Sequence, residues 1–388
     1  MPDARLRTPT VVRLFFLIRS LDRGGAQRQL IELVKGLDPQ KFEITVCTFY
    51  DEGSHWQDLD ALPAVKQLSL AKRGRWDVFP FLARLHRVIA ASRPDIVHGY
   101  MPVANELALL MARRFGAKCI WGLRASNMDL THYGALARRA FETGAVVSRF
   151  ADSIIVNSEA GRAHYGAHGY CVERMTVVPN GIDCGRFQPD AEARERVRAE
   201  WAVPAGARVV GLVARLDPMK DHENFLNAAV AVAKSCPSVH FVCVGDGSGP
   251  YTQQMHARGK ELGLAIAWLG DREDMCALYN AIDIVVLASA FGEGFPNVVG
   301  EAMACGKPCA VTTVGDAAAL VGETGASVPP RQPNSLAAAI VTLLGLSDAE
   351  LAARGAAARE RIQENFSVSR LIQATIAIFA DVLKRDLH

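Results

Sequence analysis

The feature that most constrains this chain is a pattern of alternating segments that occurs twice. Short runs rich in β-branched and aromatic residues alternate with longer amphipathic stretches, which is typical of parallel strands joined by helices. The first set of predicted strands is Val11–Ile18, Glu43–Phe49, Asp95–His98, Lys118–Leu123, Ser153–Val156 and Met175–Val178. The second set is Arg208–Ala214, Val239–Val244, Ala265–Leu269, Asp283–Leu287 and Pro308–Thr312. We therefore predict an α/β protein with two successive Rossmann-like units, each built on a parallel sheet.

The turn-forming segment Pro179–Asp183 separates the two sets and is suited to a hinge. At 388 residues the chain is longer than one hydrophobic core usually supports, and half of its residues are hydrophobic. We predict one domain over residues 1–180 and a second over residues 181–366. A final helix over residues 367–388 is predicted to pack back on the first domain.

Charge is distributed unevenly between the two halves of the chain. Residues 1–180 carry 24 Lys and Arg against 17 Asp and Glu, whereas residues 181–388 carry 19 against 24. The formal net charge is only +2, which argues against a dedicated nucleic-acid-binding protein. The basic first half suggests contact with an anionic membrane surface. The residues considered for that contact are Arg113, Arg114, Arg138 and Arg139.

The sequence predicts a cytoplasmic protein, with peripheral contact to the inner face of the plasma membrane as a further hypothesis. The first apolar run is short, ends in Arg19 and lacks a small-residue cleavage pattern. No stretch of about eighteen residues is both apolar and uncharged, so no membrane-spanning helix is expected. The nine cysteines form no CxxC pair, which is typical of reduced thiols.

Two glutamates, Glu293 and Glu301, lie in a segment that follows the predicted strand Asp283–Leu287. Pro296 suits the first turn of a helix, whose amides then point beyond the carboxyl end of the strand, where open α/β sheets bind ligands. Glu301 would lie roughly 7–8 Å along that helix. Such a pair is too far apart for a retaining glycosidase, which needs about 5 Å, but it could contact opposite ends of one ligand. The alternative is a loop charge and a helix-surface residue.

Two further loops carry groups suited to phosphate. Arg215 and Lys220 flank the turn after the first strand of the second domain, and paired cations suit a diphosphate that gains negative charge as it leaves. Gly24 and Gly25 follow the first strand of the chain, where paired glycines let backbone amides approach a phosphate or a sugar. Each pattern alone also fits an exposed strand end or an ordinary turn.

Taken together, these residues resemble glycosyltransferase family four, which has the GT-B fold. The resemblance rests on motifs in family order: Gly24-Gly25, Val178–Asp183, Arg215 with Lys220, Val244–Gly247 and Glu293–Pro308. It implies two Rossmann-like domains whose parallel sheets face each other across a cleft. It also implies a transferase that moves a sugar from a nucleotide diphosphate to an acceptor, retains the anomeric configuration and needs no metal ion or cofactor.

The resemblance further assigns a role to each residue. Arg215 and Lys220 would hold the donor pyrophosphate. Glu293 would contact hydroxyls of the transferred sugar, and Glu301 would bind the ribose. The first domain would bind the acceptor and the second the donor. The other donor-binding residues are Gly24, Gly25, Gly294, Phe295 and Asn297.

One position departs from the family pattern. Many relatives have a histidine just after the strand that corresponds to Lys118–Leu123, whereas this chain has Arg124 there. Arg124 is a candidate to replace that histidine as a cation near the sugar or phosphate, and it could instead pair with an acid. His98, at the end of a predicted strand, is the other candidate, and a strand-end histidine can equally be structural.

Several alternatives remain open from the sequence. Gly245–Gly249 resembles a dinucleotide fingerprint, but Pro250 takes the place of the third glycine, which disfavours a dehydrogenase. A nucleotide-sugar 2-epimerase and a noncatalytic sugar-nucleotide-binding protein are the other two alternatives. We expect a hexosyl or N-acetylhexosaminyl donor, with a UDP-sugar favoured over GDP-mannose. The expected acceptor is a glycan or lipid-linked glycan of bacterial polysaccharide biosynthesis.

Overall fold

The computed structural model describes residues 11–387 apart from 23, 52, 54–55, 75, 125–134, 248 and 386. The described residues form two compact units. The N-terminal unit contains residues 11–124, 135–181 and 368–387, and the C-terminal unit contains residues 182–367. The chain therefore leaves the first unit at Gly181 and returns to it at Val368.

The N-terminal unit is built on a seven-stranded parallel sheet with strand order β3-β2-β1-β4-β5-β6-β7. Its strands are β1 (Val12–Ile18), β2 (Phe42–Thr48), β3 (Val65–Ser69), β4 (Ile96–Tyr100), β5 (Lys118–Leu123), β6 (Ser153–Val156) and β7 (Met175–Val177). The helices between them are α1 (Gly25–Gly36), α2 (Trp56–Asp60), α3 (Val78–Ser92), α4 (Ala104–Phe115), α5 (Ala135–Val147) and α6 (Glu159–Ala167). The central strands are buried because helices cover both faces of a parallel sheet.

The C-terminal unit is built on a six-stranded parallel sheet with strand order β10-β9-β8-β11-β12-β13. Its strands are β8 (Val209–Val213), β9 (His240–Val244), β10 (Ile266–Trp268), β11 (Ile284–Leu287), β12 (Cys309–Thr312) and β13 (Ala326–Val328). Its helices are α7 (Ala191–Glu200), α8 (His222–Ser235), α9 (Pro250–Glu261), α10 (Met275–Ala281), α11 (Asn297–Ala304), α12 (Ala317–Val321), α13 (Pro333–Leu344) and α14 (Asp348–Asn365).

The last helix, α15 (Val368–Leu383), belongs to the N-terminal unit and packs against α1. Leu371, Phe379 and Val382 recur at helical spacing and are buried in the core of that unit. The ring of Phe379 meets that of Phe42 edge-on, with centroids 6.4 Å apart. The end of the chain therefore completes the core of the first domain.

The predicted class is confirmed, since both units are Rossmann-like with parallel sheets. Two strands were missed. The edge strand β3 is only half-buried and includes Lys66 and Gln67, so it lacks an apolar run, and β13 is only three residues long. Within the described residues, no single helix is long and apolar enough to cross a membrane, while α13 and α14 together pass that test but are bent by 110° at their junction.

Candidate active site

Glu293 lies in the loop between β11 and α11 and is only 6% exposed. Its Oε1 atom accepts one hydrogen bond from Ser289 Oγ at 2.6 Å and another from Lys220 Nζ at 2.5 Å. A buried carboxylate needs such partners, because burying an unpaired charge is costly. Glu293 is therefore a fixed, paired group, and its interpretation as a solvated loop charge is wrong.

The loop that carries Glu293 is held by the neighbouring strand β12. Thr312, the last residue of β12, donates its hydroxyl to the carbonyl of Ser289 at 2.7 Å. Gly315 has a φ of +62°, and a Cβ atom there would lie 2.5 Å from the carbonyl oxygens of Glu293 and Gly294. Only glycine suits that left-handed, crowded position, so the turn after β12 packs closely against the Glu293 loop and fixes its position.

Arg215 and Lys220 follow β8, the strand that pairs with β11. Asp217 caps a short 3₁₀ turn by accepting from the amide of Met219 at 2.9 Å, and Lys220 ends that turn. Arg215 is exposed, whereas Lys220 is largely buried against Glu293. The structure thus places both predicted cations at the carboxyl edge of the sheet, and within the described part of the chain Lys220 alone of the two is paired with a site carboxylate.

Glu301 lies inside α11 and is 4% exposed. Its Oε2 atom accepts a hydrogen bond of 2.9 Å from the hydroxyl of Tyr279, a core residue of α10. The interpretation of Glu301 as a helix-surface residue is therefore wrong. Sequence reasoning missed Tyr279, because no spacing rule links it to α11.

The predicted helix start is close to the observed one, since α11 begins at Asn297 directly after Pro296. The Phe295 ring is buried and packs on Phe366, with centroids 5.5 Å apart. The Phe295 side chain therefore anchors the loop in the core, and the amide of Asp316 donates to the carbonyl of Gly294 at 2.9 Å. Asn297, in the first turn, is half-buried.

His222, at the start of α8, is a site-edge residue that the sequence analysis did not select. It is buried, and neither ring nitrogen has a hydrogen-bond partner among the described residues. Burial, followed by the nearby Lys220 charge, lowers its pKa to about 4. The imidazole is therefore neutral at physiological pH. His222 could have been selected from the sequence, because it lies two residues after Lys220.

In the N-terminal unit, α1 begins at Gly25 and its N-cap residue is Gly24. The φ of Gly24 is −175°, an extended conformation that any residue adopts. A Cβ atom on Gly24 would lie 2.4 Å from the end of the Gln27 side chain, which is flexible. The glycine pair thus lies at the carboxyl edge of the sheet without a backbone requirement for glycine at Gly24. Arg23, which directly precedes the glycine pair, lies outside the described residues.

Arg124 directly follows β5 and is half-buried. Its Nη1 atom donates to Asn180 Oδ1 at 3.2 Å, and its Nη2 atom donates to the Tyr100 hydroxyl at 3.3 Å. The guanidinium carbon also lies 5.0 Å from the centre of the Tyr100 ring. Both partners are neutral. The Asn180 amide carries no charge, and burial raises the pKa of the Tyr100 phenol above its usual value. They fix the orientation of Arg124 without cancelling its charge.

His98 requires a correction. The strand β4 continues to Tyr100, so His98 lies within the strand and is 1% exposed. Its ring packs between those of Phe16, Tyr100 and Phe379, with centroids 5.4, 4.7 and 6.3 Å away. Burial and then the Arg124 charge hold its pKa well below the usual value. His98 is therefore a neutral, buried residue within β4, packed among aromatic rings with the Arg124 charge nearby, and it does not lie at the strand end as expected.

Two family models match successive parts of the chain. The model described as Glycosyltransferase Family 4 matches residues 23–186, and the model described as Glycosyl transferases group 1 matches residues 207–345. The chain is a GT4-like glycosyltransferase. The family resemblance inferred from Gly24-Gly25, the Arg215 loop and the Glu293–Glu301 segment is confirmed.

Curated relatives of this glycosyltransferase are distant in sequence. The putative glycosyltransferase EpsF of Bacillus subtilis is 24% identical over 77% of this chain and 79% of its own length. A D-inositol 3-phosphate glycosyltransferase of Mycolicibacterium gilvum is 31% identical over 66% of this chain and 61% of its own length. Among solved structures, Anabaena HepE in complex with UDP has a TM-score of 0.82 at 24% identity, covering 95% of this chain and all of that one. TarM has a TM-score of 0.75 at 14% identity, covering 95% of this chain and 99% of that one. These structures establish the GT-B fold of the glycosyltransferase.

Among the residues that the structure describes, no group of three or more His, Cys, Asp or Glu side chains is arranged to hold a metal ion.

Proposed function

We propose that this glycosyltransferase moves a hexosyl or N-acetylhexosaminyl group from a UDP-sugar to a glycan or lipid-linked glycan, with retention of the anomeric configuration. The observation that carries the proposal is the set of contacts at the carboxyl edge of the C-terminal sheet. There, Lys220 and Ser289 hold Glu293, Arg215 stands exposed on the loop after β8, and Glu301 is oriented by Tyr279.

The proposed donor contacts follow from the number of bonds each group can make. An ammonium has three donors, so Lys220 can keep its bond to Glu293 and still donate to a diphosphate oxygen. A carboxylate accepts about four hydrogen bonds, so Glu293 retains capacity for sugar hydroxyls. Arg215 supplies a fork of donors suited to a second phosphate oxygen. Glu301 would accept from the ribose hydroxyls.

The proposed reaction needs no enzyme nucleophile. The bond between the anomeric carbon and the β-phosphate oxygen breaks, and the acceptor hydroxyl bonds to that carbon from the same face. The hydroxyl proton passes to the departing phosphate oxygen, so UDP leaves and the configuration is retained. Arg215 and Lys220 would stabilise the growing charge on UDP in the place of a metal ion. Arg124 is the proposed cation of the N-terminal unit.

The preference for a UDP-sugar is supported by related structures. HepE was solved with UDP and with UDP-glucose, and a point mutant of TarM was solved with UDP and alpha-GlcNAc-glycerol. The basic first half of the chain supports a cytoplasmic enzyme at the inner face of the plasma membrane, where lipid-linked acceptors would be available.

The test is a thermal-shift panel followed by product analysis. A UDP-sugar at about 100 times its Kd should stabilise the fold by roughly 2.7 kcal/mol, and GDP-mannose at the same concentration should stabilise it less. With acceptor present, UDP should be released and the product should keep the anomeric configuration of the donor sugar by NMR. Conversion of the donor sugar at C2 without an acceptor would instead establish a 2-epimerase. Donor binding without UDP release in any acceptor fraction would indicate a noncatalytic binding protein.

A further inference from the structure

Two neighbouring aromatic side chains of the N-terminal unit point into solvent. Trp76 is 83% exposed and Phe79 is 84% exposed, and Val78 between them is 46% exposed. Val78 and Phe79 are the first residues of α3, and Trp76 lies two residues before it, in the connection between β3 and α3. Scattered apolar residues on a surface are normal, but large aromatic side chains clustered in one short segment indicate an interaction surface.

The backbone beneath these side chains is firmly anchored. Arg84 donates through Nε to the carbonyl of Leu70 at 2.7 Å, and the amide of Lys72 donates to the carbonyl of Phe49 at 2.8 Å. The ring of Phe81, two residues after Phe79, is buried edge-on against Phe49, with centroids 5.1 Å apart. The exposed aromatic residues are therefore presented by a fixed segment.

The sequence of the segment that carries the aromatic residues is mainly basic. Residues 71–94 contain six basic side chains and one acidic side chain, Asp77. Asp77 is turned inward, because its Oδ2 atom accepts from Arg84 Nη2 at 2.5 Å and from the amide of Arg73 at 2.7 Å. Arg73 and Arg87 are exposed, and Arg87 is eight positions after Phe79, on the same face of α3.

We propose that Trp76 and Phe79 insert into the interface of an anionic lipid bilayer while Arg73 and Arg87 contact its headgroups. Exposed aromatic residues beside arginines match the apolar boundary and the negative surface of such a bilayer. A glycan-binding platform would need carboxylates or amides beside the rings to bond sugar hydroxyls. In the stretch 71–83 Asp77 is the sole such side chain, and it is engaged by Arg84.

The role of this docking surface rests on the proposed function. Bound to a bilayer, the surface would place the carboxyl edge of the N-terminal sheet beside a lipid-linked acceptor. The docking itself requires no donor and no turnover, so it is measured separately. The surface differs from that of Arg113 and Arg114 on α4. There, Arg113 already donates to the carbonyl of Phe150 at 2.9 Å and lies 6.0 Å from its ring centre.

The experiment measures co-sedimentation of the full chain with phosphatidylcholine vesicles, with and without phosphatidylglycerol. The wild type should bind only the anionic vesicles. The double variant Trp76→Ala/Phe79→Ala should lose binding, and each of Arg73→Gln and Arg87→Gln should weaken it roughly fivefold at low salt. The matched control is Phe150→Ala, which removes an exposed aromatic residue of the same unit outside this segment and should bind as the wild type does.

Two further measurements keep the outcomes separate. A blue shift of tryptophan emission on anionic vesicles should appear in the wild type and be absent in Trp76→Phe, which should still bind. UDP-sugar affinity should be unchanged in every surface variant, so loss of vesicle binding with normal donor affinity assigns the effect to docking. Equal vesicle binding by wild type and Trp76→Ala/Phe79→Ala would overturn the proposal. Wild-type self-association or binding to a soluble glycan that this double variant abolishes would also overturn it.

Discussion

Lys220 Nζ lies 2.5 Å from Glu293 Oε1, although the two residues are 73 positions apart. The sequence assigned one of them to the donor diphosphate and the other to the transferred sugar. Their direct contact means that the two roles share one buried ion pair. Effects of substituting them should therefore be non-additive, as for any pair of residues in contact.

Loss of either cation is expected to reduce catalysis, but only one loss should reduce stability. Both Arg215→Ala and Lys220→Ala should lower kcat/KM by roughly 10²–10³, by analogy with removing a preorganised oxyanion donor. Lys220→Ala should also reduce the free energy of unfolding by about 3–5 kcal/mol, because it leaves the Glu293 carboxylate buried without its cation. Arg215→Ala, at an exposed site, should change it by about 0.5 kcal/mol or less. Steady-state kinetics and urea unfolding measure these effects. Wild-type turnover in Arg215→Ala would show that Arg215 does not stabilise the leaving phosphate.

The two glutamates should be separable by their effects on free UDP. Glu301→Ala should weaken UDP binding roughly 10- to 150-fold, the equivalent of losing a charged hydrogen bond of about 1.5–3 kcal/mol. Glu293→Ala should lower kcat and leave UDP affinity nearly intact, because UDP lacks the sugar. Tyr279→Phe is the control, since it removes only the hydroxyl that orients Glu301. Calorimetry measures the UDP affinity of each variant. Equal loss of UDP affinity in both glutamate variants would show that the assignment of Glu301 to the ribose and Glu293 to the transferred sugar is wrong.

Arg124 is expected to depend on its two neutral partners. Arg124→Ala should lower kcat with little change in the KM for the donor. Tyr100→Phe should lower kcat roughly tenfold, because a hydrogen bond to a charged group contributes about 1.5 kcal/mol or more. Arg124→Lys should not restore activity, because an ammonium cannot reproduce the planar fork that reaches both Asn180 and Tyr100. Unchanged kcat in Arg124→Ala would show that the guanidinium serves the fold alone.

Turnover is expected to survive an excess of EDTA. In the proposed reaction Arg215 and Lys220 supply positive charge to the diphosphate, and no Asp-x-Asp motif lies at the end of a predicted strand. The measurement is UDP release before and after chelation, with the Lys220→Ala variant as an inactive control. Loss of activity that Mg²⁺ or Mn²⁺ restores would contradict this prediction.

His222 should make stability depend on pH below neutrality. Its pKa is about 4 in the folded protein and about 6.5 when unfolded, so the unfolded state binds more protons between these values. The stabilisation is fully present above pH 6.5 and is lost as the pH falls toward 4, by an amount on the order of 3 kcal/mol. His222→Leu should flatten that part of the stability profile. Parallel profiles for wild type and variant would show that the imidazole is not held neutral.

The local pattern of apolar residues was sufficient to predict the strands that form the two cores. Segments such as Lys118–Leu123 and Ser153–Val156 were predicted with the observed bounds, because strands covered on both faces are apolar throughout. The strands β3 and β13 were not predicted. β3 is an edge strand with polar residues and β13 has only three residues, so neither shows a clear periodic pattern of apolar residues. The position of Glu293 just after a strand was also readable, since residues that follow parallel strands lie at one edge of the sheet.

The sequence by itself determined the class of fold, the family and the position of Arg215, Lys220 and Glu293 after parallel strands. The tertiary structure alone decided which of them touch. Lys220 meets Glu293 because β8 and β11 are neighbours in the sheet, an order that the lengths of the connections do not specify. His98 became a core residue because Phe379, from the last helix, packs on its ring. Contacts between residues far apart in the chain depend on the order of strands and on the packing of helices, and neither is contained in a local pattern.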